Sequence, residues 1–137
     1  MSKSFKISVK ASTAHLAQVR DFVAKHAADC GCNEGEVADI CLAVDEAYTN
    51  IIKHAYKGDS KKSVDIKLGY NDDEFWVSLL DKGGSFNPKK YTKPDICKRI
   101  KERKRGGVGV YLIKELMDRV EYKTENSVNE IRMTKKK

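Results

Sequence analysis

Residues 42–56 read LAVDEAYTNIIKHAY, and the rest of the chain is organised around this stretch. Its apolar residues recur every three or four positions, which predicts the second half of a helix that begins near Asn33. Asn33 can cap this helix, because Glu36 lies three residues later as its capping-box partner. The stripe predicted to face the core contains Val37, Ile40, Cys41, Val44, Ala47, Tyr48, Ile51, Ile52 and Ala55.

A polar line runs beside that stripe. Glu46, Asn50 and His54 are each four residues apart, so they stack along one face of the predicted helix. A carboxylate and a carboxamide one turn apart can place a general base beside a metal ligand. The same spacing is also common on solvated helix surfaces, so its meaning depends on the rest of the chain. His54, at the margin of the apolar stripe, is predicted to be a packed structural histidine.

The composition predicts one domain, residues 1–137, with a core of its own. It is 40% hydrophobic and 34% charged, as in ordinary globular proteins. No apolar run reaches the length of a membrane span, and the first residues lack the hydrophobic region of a signal peptide. We therefore expect a cytoplasmic protein without membrane contact. We also expect free thiols, since the alternative metal site lacks paired C-x-x-C spacing; its members would be His26, Cys30, Cys32 and Cys41.

The net charge of +7 is concentrated in one segment. Residues 85–105 contain nine basic and two acidic side chains, whereas the remainder contains 18 of each. The segment has two prolines and no sustained periodicity, which predicts a long basic lid at about residues 84–106. A nucleic-acid binder could use such a segment, but it has no interleaved aromatic residues beyond Tyr91 and no recognisable module. No direct nucleic-acid contact is expected.

The remaining elements follow from alternation and helical spacing. Ser12 or Thr13 is predicted to cap a helix that ends near Gly31. The strand at residues 75–80 has apolar residues on both faces, which indicates a central or doubly covered strand. The complete predicted order is strand 5–9, two helices, strands 64–68 and 75–80, the lid, a helix at 110–117, and strands at 120–123 and 128–134.

Two short motifs flank the basic lid. A glycine-rich turn, Gly106-Gly-Val-Gly109, precedes the last helix, and backbone N–H groups at such a helix start bind phosphate well. The turn is neither a P-loop nor a dinucleotide fingerprint. Asp81 ends a strand, and Gly83 permits close backbone approach, so the carboxylate could accept a hydrogen bond from the exocyclic amine of a base. Both motifs also have ordinary readings as tight turns.

Together these motifs resemble the three boxes of the GHKL ATPases. Glu46-x-x-x-Asn50 is similar to the N-box, Asp81-x-Gly83 to the G1 box, and Arg105-Gly-Gly-Val-Gly109 to the G2 box. The short chain, the glutamate at position 46 and the arginine before the glycines look most like anti-sigma factor serine/threonine kinases. The resemblance covers residues 5–133 and implies an α/β (α+β) two-layer sandwich, in which helices pack on a mixed, mainly antiparallel sheet and ATP lies beneath a flexible lid.

The resemblance also implies roles for individual residues. Glu46 would take the proton from an attacking serine hydroxyl, and Arg105 would neutralise charge on the γ-phosphoryl group. Asn50 would ligate Mg²⁺, and Asp81 would bind the amino group of adenine. The full set expected to bind the cofactors ATP and Mg²⁺ is Asn50, Asp81, Gly83, Arg105, Gly106, Gly107, Val108, Gly109 and Val110.

The implied partners are a sigma factor, an anti-anti-sigma (STAS-type) protein that is phosphorylated on serine, and a second copy of the chain. Two details depart from the family pattern. Where the family often has a threonine near the adenine in its last strand, this chain has Val128-Asn129-Glu130, and the G1 segment lacks the second glycine at the commonest spacing. Two alternatives stay open. One is an ATP-dependent binding switch without phosphoryl transfer; the other is a sensor histidine kinase domain, which no phosphoacceptor hairpin supports.

Overall fold

The computed structural model describes residues 3–55, 62–82 and 108–137, with the backbone alone for residues 54–55 and 108–111. Its strands are β1 (Lys3–Lys10), β2 (Ser63–Tyr70), β3 (Glu74–Asp81), β4 (Arg119–Glu125) and β5 (Val128–Lys136). Its α-helices are α1 (Leu16–Cys30), α2 (Glu34–Asn50) and α3 (Val108–Leu116), with a 3-10 turn at Thr13–His15 and a π-helical turn at Ile51–Ala55. This order is the predicted one. The predicted lid at residues 84–106 lies outside the described residues.

The five strands form one sheet in the order β1-β2-β3-β5-β4, and all four pairings among the described strands are antiparallel. We expected a mixed, mainly antiparallel sheet; the described part has no parallel pair. β3 is the central strand, as its double-sided apolar pattern predicted. Its residues Phe75, Val77 and Leu79 are fully buried beneath the helices. Helices α1 and α2 contact the sheet and each other, which gives the predicted two-layer sandwich.

Helix α2 is fixed at both ends. Asn33 and Glu36 form the predicted capping box, in which Asn33 Oδ1 accepts from the Glu36 N–H at 2.8 Å and Glu36 Oε1 accepts from the Asn33 N–H at 2.9 Å. Near the other end, the Tyr48 hydroxyl lies 2.7 Å from the Lys10 carbonyl oxygen and 2.8 Å from that of Ser12. Tyr48 is fully buried, and the single proton of its hydroxyl, shared between these two carbonyl oxygens, ties α2 to the segment between β1 and α1.

The hairpin between β4 and β5 turns on two residues, Asn126 and Ser127, whose φ angles are +53° and +65°. Positive φ at both central positions matches the right-handed twist of the flanking strands. The hairpin register places Asn129 of β5 opposite Asp81 of β3 on one side and opposite Thr124 of β4 on the other. This pairing builds part of the candidate site.

Candidate functional site

Glu46 and Asn50 lie one turn apart on α2, and both side chains are half-buried. In the part of the chain that the structure describes, neither side chain has a hydrogen-bond or ion-pair partner. Half-buried polar groups are usually satisfied by a partner or by water. A carboxylate and a carboxamide are therefore presented together, with their hydrogen-bonding capacity available to a ligand.

The flank of α2 that carries Glu46 is the flank on which α3 lies. Asp39 is seven residues before Glu46, two helical turns away on nearly the same face. Its carboxylate lies 3.5 Å from the Lys135 ammonium, which also donates to the carbonyl oxygen of Leu116 at 2.7 Å. Leu116 is the last residue of α3, so Lys135 of β5 joins α2 to the end of that helix.

The helical ladder changes immediately after Asn50. The Thr49 hydroxyl lies 2.9 Å from the carbonyl oxygen of Asp45 and 3.2 Å from that of Glu46, and such back-bonding commonly bends helices. Residues Ile51–Ala55 then form the π-helical turn, a feature often found at functional sites. The backbone of His54 lies in this turn. Its side chain, which is predicted to be packed, is not among the described atoms.

Asp81 ends β3 and faces the helical layer, on the same side of the sheet as Phe75, Val77 and Leu79. It is 7% exposed, and its Oδ1 accepts a hydrogen bond from Asn129 Nδ2 at 3.1 Å. Asn129 Oδ1 in turn accepts from the Thr124 hydroxyl at 2.8 Å, which fixes the orientation of the carboxamide. Buried carboxylates need such donors, because an ionised group without them is costly to desolvate.

The sequence departs from the family pattern at residues 128–130, and the structure shows which of these side chains contacts Asp81. Within Val128-Asn129-Glu130, the neighbourhood where the family often has a threonine, the side chain that donates to Asp81 is that of Asn129. Glu130 points to the opposite face of the sheet, where its Oε2 accepts from the Ser78 hydroxyl at 2.7 Å. The sequence contained a usable signal, since residues that alternate with Ile131 and Met133 share the face of the core.

The remaining predicted site residues divide into two groups. Val108, Gly109 and Val110 form the first turn of α3, and the first N–H groups of any α-helix have no partner within the helix. Phosphate can bind to such N–H groups beside the positive end of the helix dipole. Gly83, Arg105, Gly106 and Gly107 lie outside the described residues.

The opposite flank of α2 faces α1. Arg20 and Asp45 form an ion pair there at 2.7 Å, and the hydrogen bond that Arg20 donates to this carboxylate raises the pKa of Arg20. Burial raises the pKa of the neighbouring Cys41 thiol, which favours the neutral thiol. The Arg20–Asp45 pair therefore links α1 to α2 on the flank opposite Glu46 and Asn50.

Cys30, Cys32 and Cys41 are free thiols, and burial raises the pKa of Cys32 to about 11. Among the described residues, which include His26 and all three of these cysteines, no three potential ligands cluster around a common metal position. The alternative metal site is therefore wrong. No helix in the described ranges is long and apolar enough to cross a membrane.

A family model, the histidine kinase-like ATPase domain, matches residues 9–135. The chain belongs to this family. The relation predicted from the three sequence boxes is thereby confirmed, and residues 9–135 include Glu46, Asn50, Asp81 and the glycine-rich turn.

Curated relatives carry the name serine-protein kinase RsbW. That of Bacillus subtilis is 31% identical over 137 residues, covering 95% of this chain and 83% of the relative. That of Halalkalibacterium halodurans is 31% identical over 130 residues, covering 92% and 79%. The chain thus spans most of the length of these kinases.

Two solved structures have a similar fold. The RsbU and RsbW domains of a Mycobacterium tuberculosis protein superpose with a TM-score of 0.69 at 18% identity, over 97% of this chain and 32% of that one. The SiaB–SiaC complex of Pseudomonas aeruginosa gives 0.63 at 13% identity, over 97% and 89%. At these identities the similarity establishes the fold, which is the predicted α/β sandwich.

Proposed function

We propose that this protein is an ATP-dependent serine-protein kinase of the RsbW type, which binds a sigma factor and phosphorylates a serine on an anti-anti-sigma (STAS-type) partner. The observation on which this proposal chiefly rests is the pair Glu46 and Asn50. Both side chains are half-buried, lack partners among the described residues and share the flank of α2 against which α3 packs. Half-buried polar groups without a protein partner are open to a ligand, and the one-turn spacing of this pair suits a base beside a metal ligand.

The described residues fit a bound nucleotide. Asp81 is a buried carboxylate oriented by Asn129, so it can accept a hydrogen bond from the amino group of adenine. The N–H groups at the start of α3 suit phosphate oxygens. The Asn50 carboxamide is an oxygen ligand of the kind that Mg²⁺ uses when most of its other ligands are phosphates and water.

In the proposed phosphoryl transfer, Glu46 and Arg105 each have a specific role. The oxygen of the serine hydroxyl forms a bond to the γ-phosphorus, the bond to the β-phosphate oxygen breaks, and ADP leaves. Glu46 accepts the proton of the hydroxyl, and Mg²⁺, when bound, neutralises phosphate charge. Arg105 supplies further positive charge at the γ-phosphoryl group. A glutamate at position 46 favours this reading over a pure binding switch, because a switch needs no base there.

Three kinds of partner belong to the proposal. The relatives named serine-protein kinase RsbW support a serine-bearing protein substrate, and the similar fold in the SiaB–SiaC complex supports an assembly with a second protein. We also propose a sigma factor and a second copy of this chain, both from the family resemblance. A protein that binds a sigma factor would act in the cytoplasm.

The test is transfer of label from γ-labelled ATP to purified serine-bearing STAS-type proteins of the same genome. We expect wild type to label one of them and Glu46→Gln to keep ATP binding while losing transfer by at least 100-fold. Glu34→Gln, an exposed substitution of the same kind in the first turn of α2, is the matched control. Asn50→Ala should abolish the rise in melting temperature that Mg²⁺-ATP causes.

One outcome would overturn the proposed kinase activity, and a second would overturn the role proposed for Glu46. ATP binding without transfer to any candidate would favour the binding switch. Equal transfer by wild type and Glu46→Gln would remove Glu46 from the chemistry.

A further inference from the structure

Leu42 stands out among the apolar residues of the described ranges. It is 43% exposed, whereas the neighbouring apolar residues Ile40, Ala43 and Val44 of the same helix are fully buried. The other large exposed hydrophobic residue there is Phe5, at 38%. Phe5 has an intramolecular explanation, because its ring stacks on His26 with centroids 4.0 Å apart. The exposure of Leu42 has no such explanation within the fold.

The surroundings of Leu42 are defined by the helix. Its neighbours three and four residues away on the surface of α2 are Ala38, Asp39, Asp45 and Glu46. Asp39 is paired with Lys135 on one flank, and Asp45 with Arg20 on the other. Glu46, one turn and about 6 Å further along the axis, has no partner in the described part of the chain.

This arrangement has the elements of a protein-binding surface. An apolar side chain lies at the centre, ion pairs form the rim on both sides, and the proposed catalytic base adjoins it. A single exposed leucine would need no explanation by itself. Here its position relative to Glu46 decides the matter, because a serine within hydrogen-bond reach of that carboxylate brings the surface of its own protein over the next turn of α2.

We propose that Leu42 is a specificity-determining contact for the protein substrate, and that it packs against an apolar side chain near the accepting serine. The occupant of this surface is the serine-bearing partner. The inference rests on the proposed kinase function. It adds to that function a contact that selects the substrate without taking part in ATP binding or in proton transfer.

The experiment measures KM and kcat for the STAS-type protein that wild type phosphorylates, using Leu42→Ala and Leu42→Met. Truncation to alanine should raise KM about tenfold, as for other central interface contacts, with kcat and the shift in melting temperature by Mg²⁺-ATP unchanged. Methionine, similar in volume and hydrophobicity, should restore KM to within about threefold of wild type. Lys67→Ala is the matched control, since it shortens an exposed side chain on the opposite face of the sheet.

The outcomes separate the two proposals. If wild type transfers phosphate and Leu42→Ala has the KM of wild type, the proposed Leu42 contact is refuted and the proposed kinase function is retained. If KM rises equally for Leu42→Ala and Lys67→Ala, or if methionine fails to restore it, the specific contact is also wrong. If wild type transfers phosphate to no serine-bearing candidate, the kinase itself is overturned, and this inference falls with it.

Discussion

Replacing Asn129 by aspartate tests the buried end of the candidate site. Asn129 Nδ2 lies 3.1 Å from Asp81 Oδ1, so the substitution replaces a donor by a second carboxylate at about that distance. Two full charges so close repel by about 5 kcal/mol at an effective dielectric constant of about 20. Protonating one ordinary aspartate at pH 7 costs about 4 kcal/mol. Because this cost is lower than the repulsion between two charged carboxylates, one of them should be protonated, and the expected loss of stability is about 4 kcal/mol.

The expected loss depends on pH in a defined direction. At pH 5 protonation costs only about 1.5 kcal/mol, so Asn129→Asp should recover most of its lost stability as the pH falls. Urea unfolding at pH 7 and pH 5 measures both values. Asn126→Asp is the matched control, because it introduces the same charge in the exposed hairpin turn and should change stability by less than about 0.5 kcal/mol. Equal losses for the two variants, or a loss unchanged at pH 5, would refute the assigned contact.

Three further substitutions test the scaffold. Gly69→Ala should lose about 1–3 kcal/mol and change the fluorescence of Trp76, the only tryptophan, because a Cβ at position 69 would lie 2.5 Å from that ring; an unchanged spectrum would contradict this. Tyr48→Phe should lose about 1–3 kcal/mol in urea unfolding, because the carbonyl oxygen of Ser12 loses a buried donor. Burial lowers the pKa of His26, so the unfolded chain binds the proton first and stability should fall below about pH 6.5; His26→Leu should flatten that dependence, and an identical slope would refute it.

Much of the fold could be predicted from local patterns. The capping residues Asn33 and Glu36 marked the start of α2, and the alternation at Val64, Ile66 and Leu68 gave a strand in which those three side chains are fully buried. Boundaries were less accurate. The helix predicted to continue to about residues 56–58 ends as an α-helix at Asn50, because the backbone geometry after Asn50 changes to a π-helical turn that apolar periodicity does not reveal.

The candidate site likewise contains residues that local sequence patterns predict and residues that only the tertiary structure reveals. Glu46 and Asn50 could be recognised in the sequence because the four-residue spacing of a helix is local and needs no tertiary information. Asn129 could not be assigned to Asp81, since the two residues are 48 positions apart and meet only through the register of β3 with β5. Leu42 lies outside the predicted apolar stripe, but its exposed fraction depends on which neighbours pack against α2.

The sequence by itself determined the order of the elements, the helix that presents the polar line and the family to which the chain belongs. These properties depend on periodicity, on capping residues and on short motifs, all of which act within a few residues. Tertiary structure alone decided the strand order and the hydrogen bond from Asn129 to Asp81. It also decided the two ion pairs on either side of Leu42, Asp39 with Lys135 and Asp45 with Arg20. The physical reason is that sheet register and helix packing join residues far apart in the chain, and only the folded arrangement fixes which side chains meet.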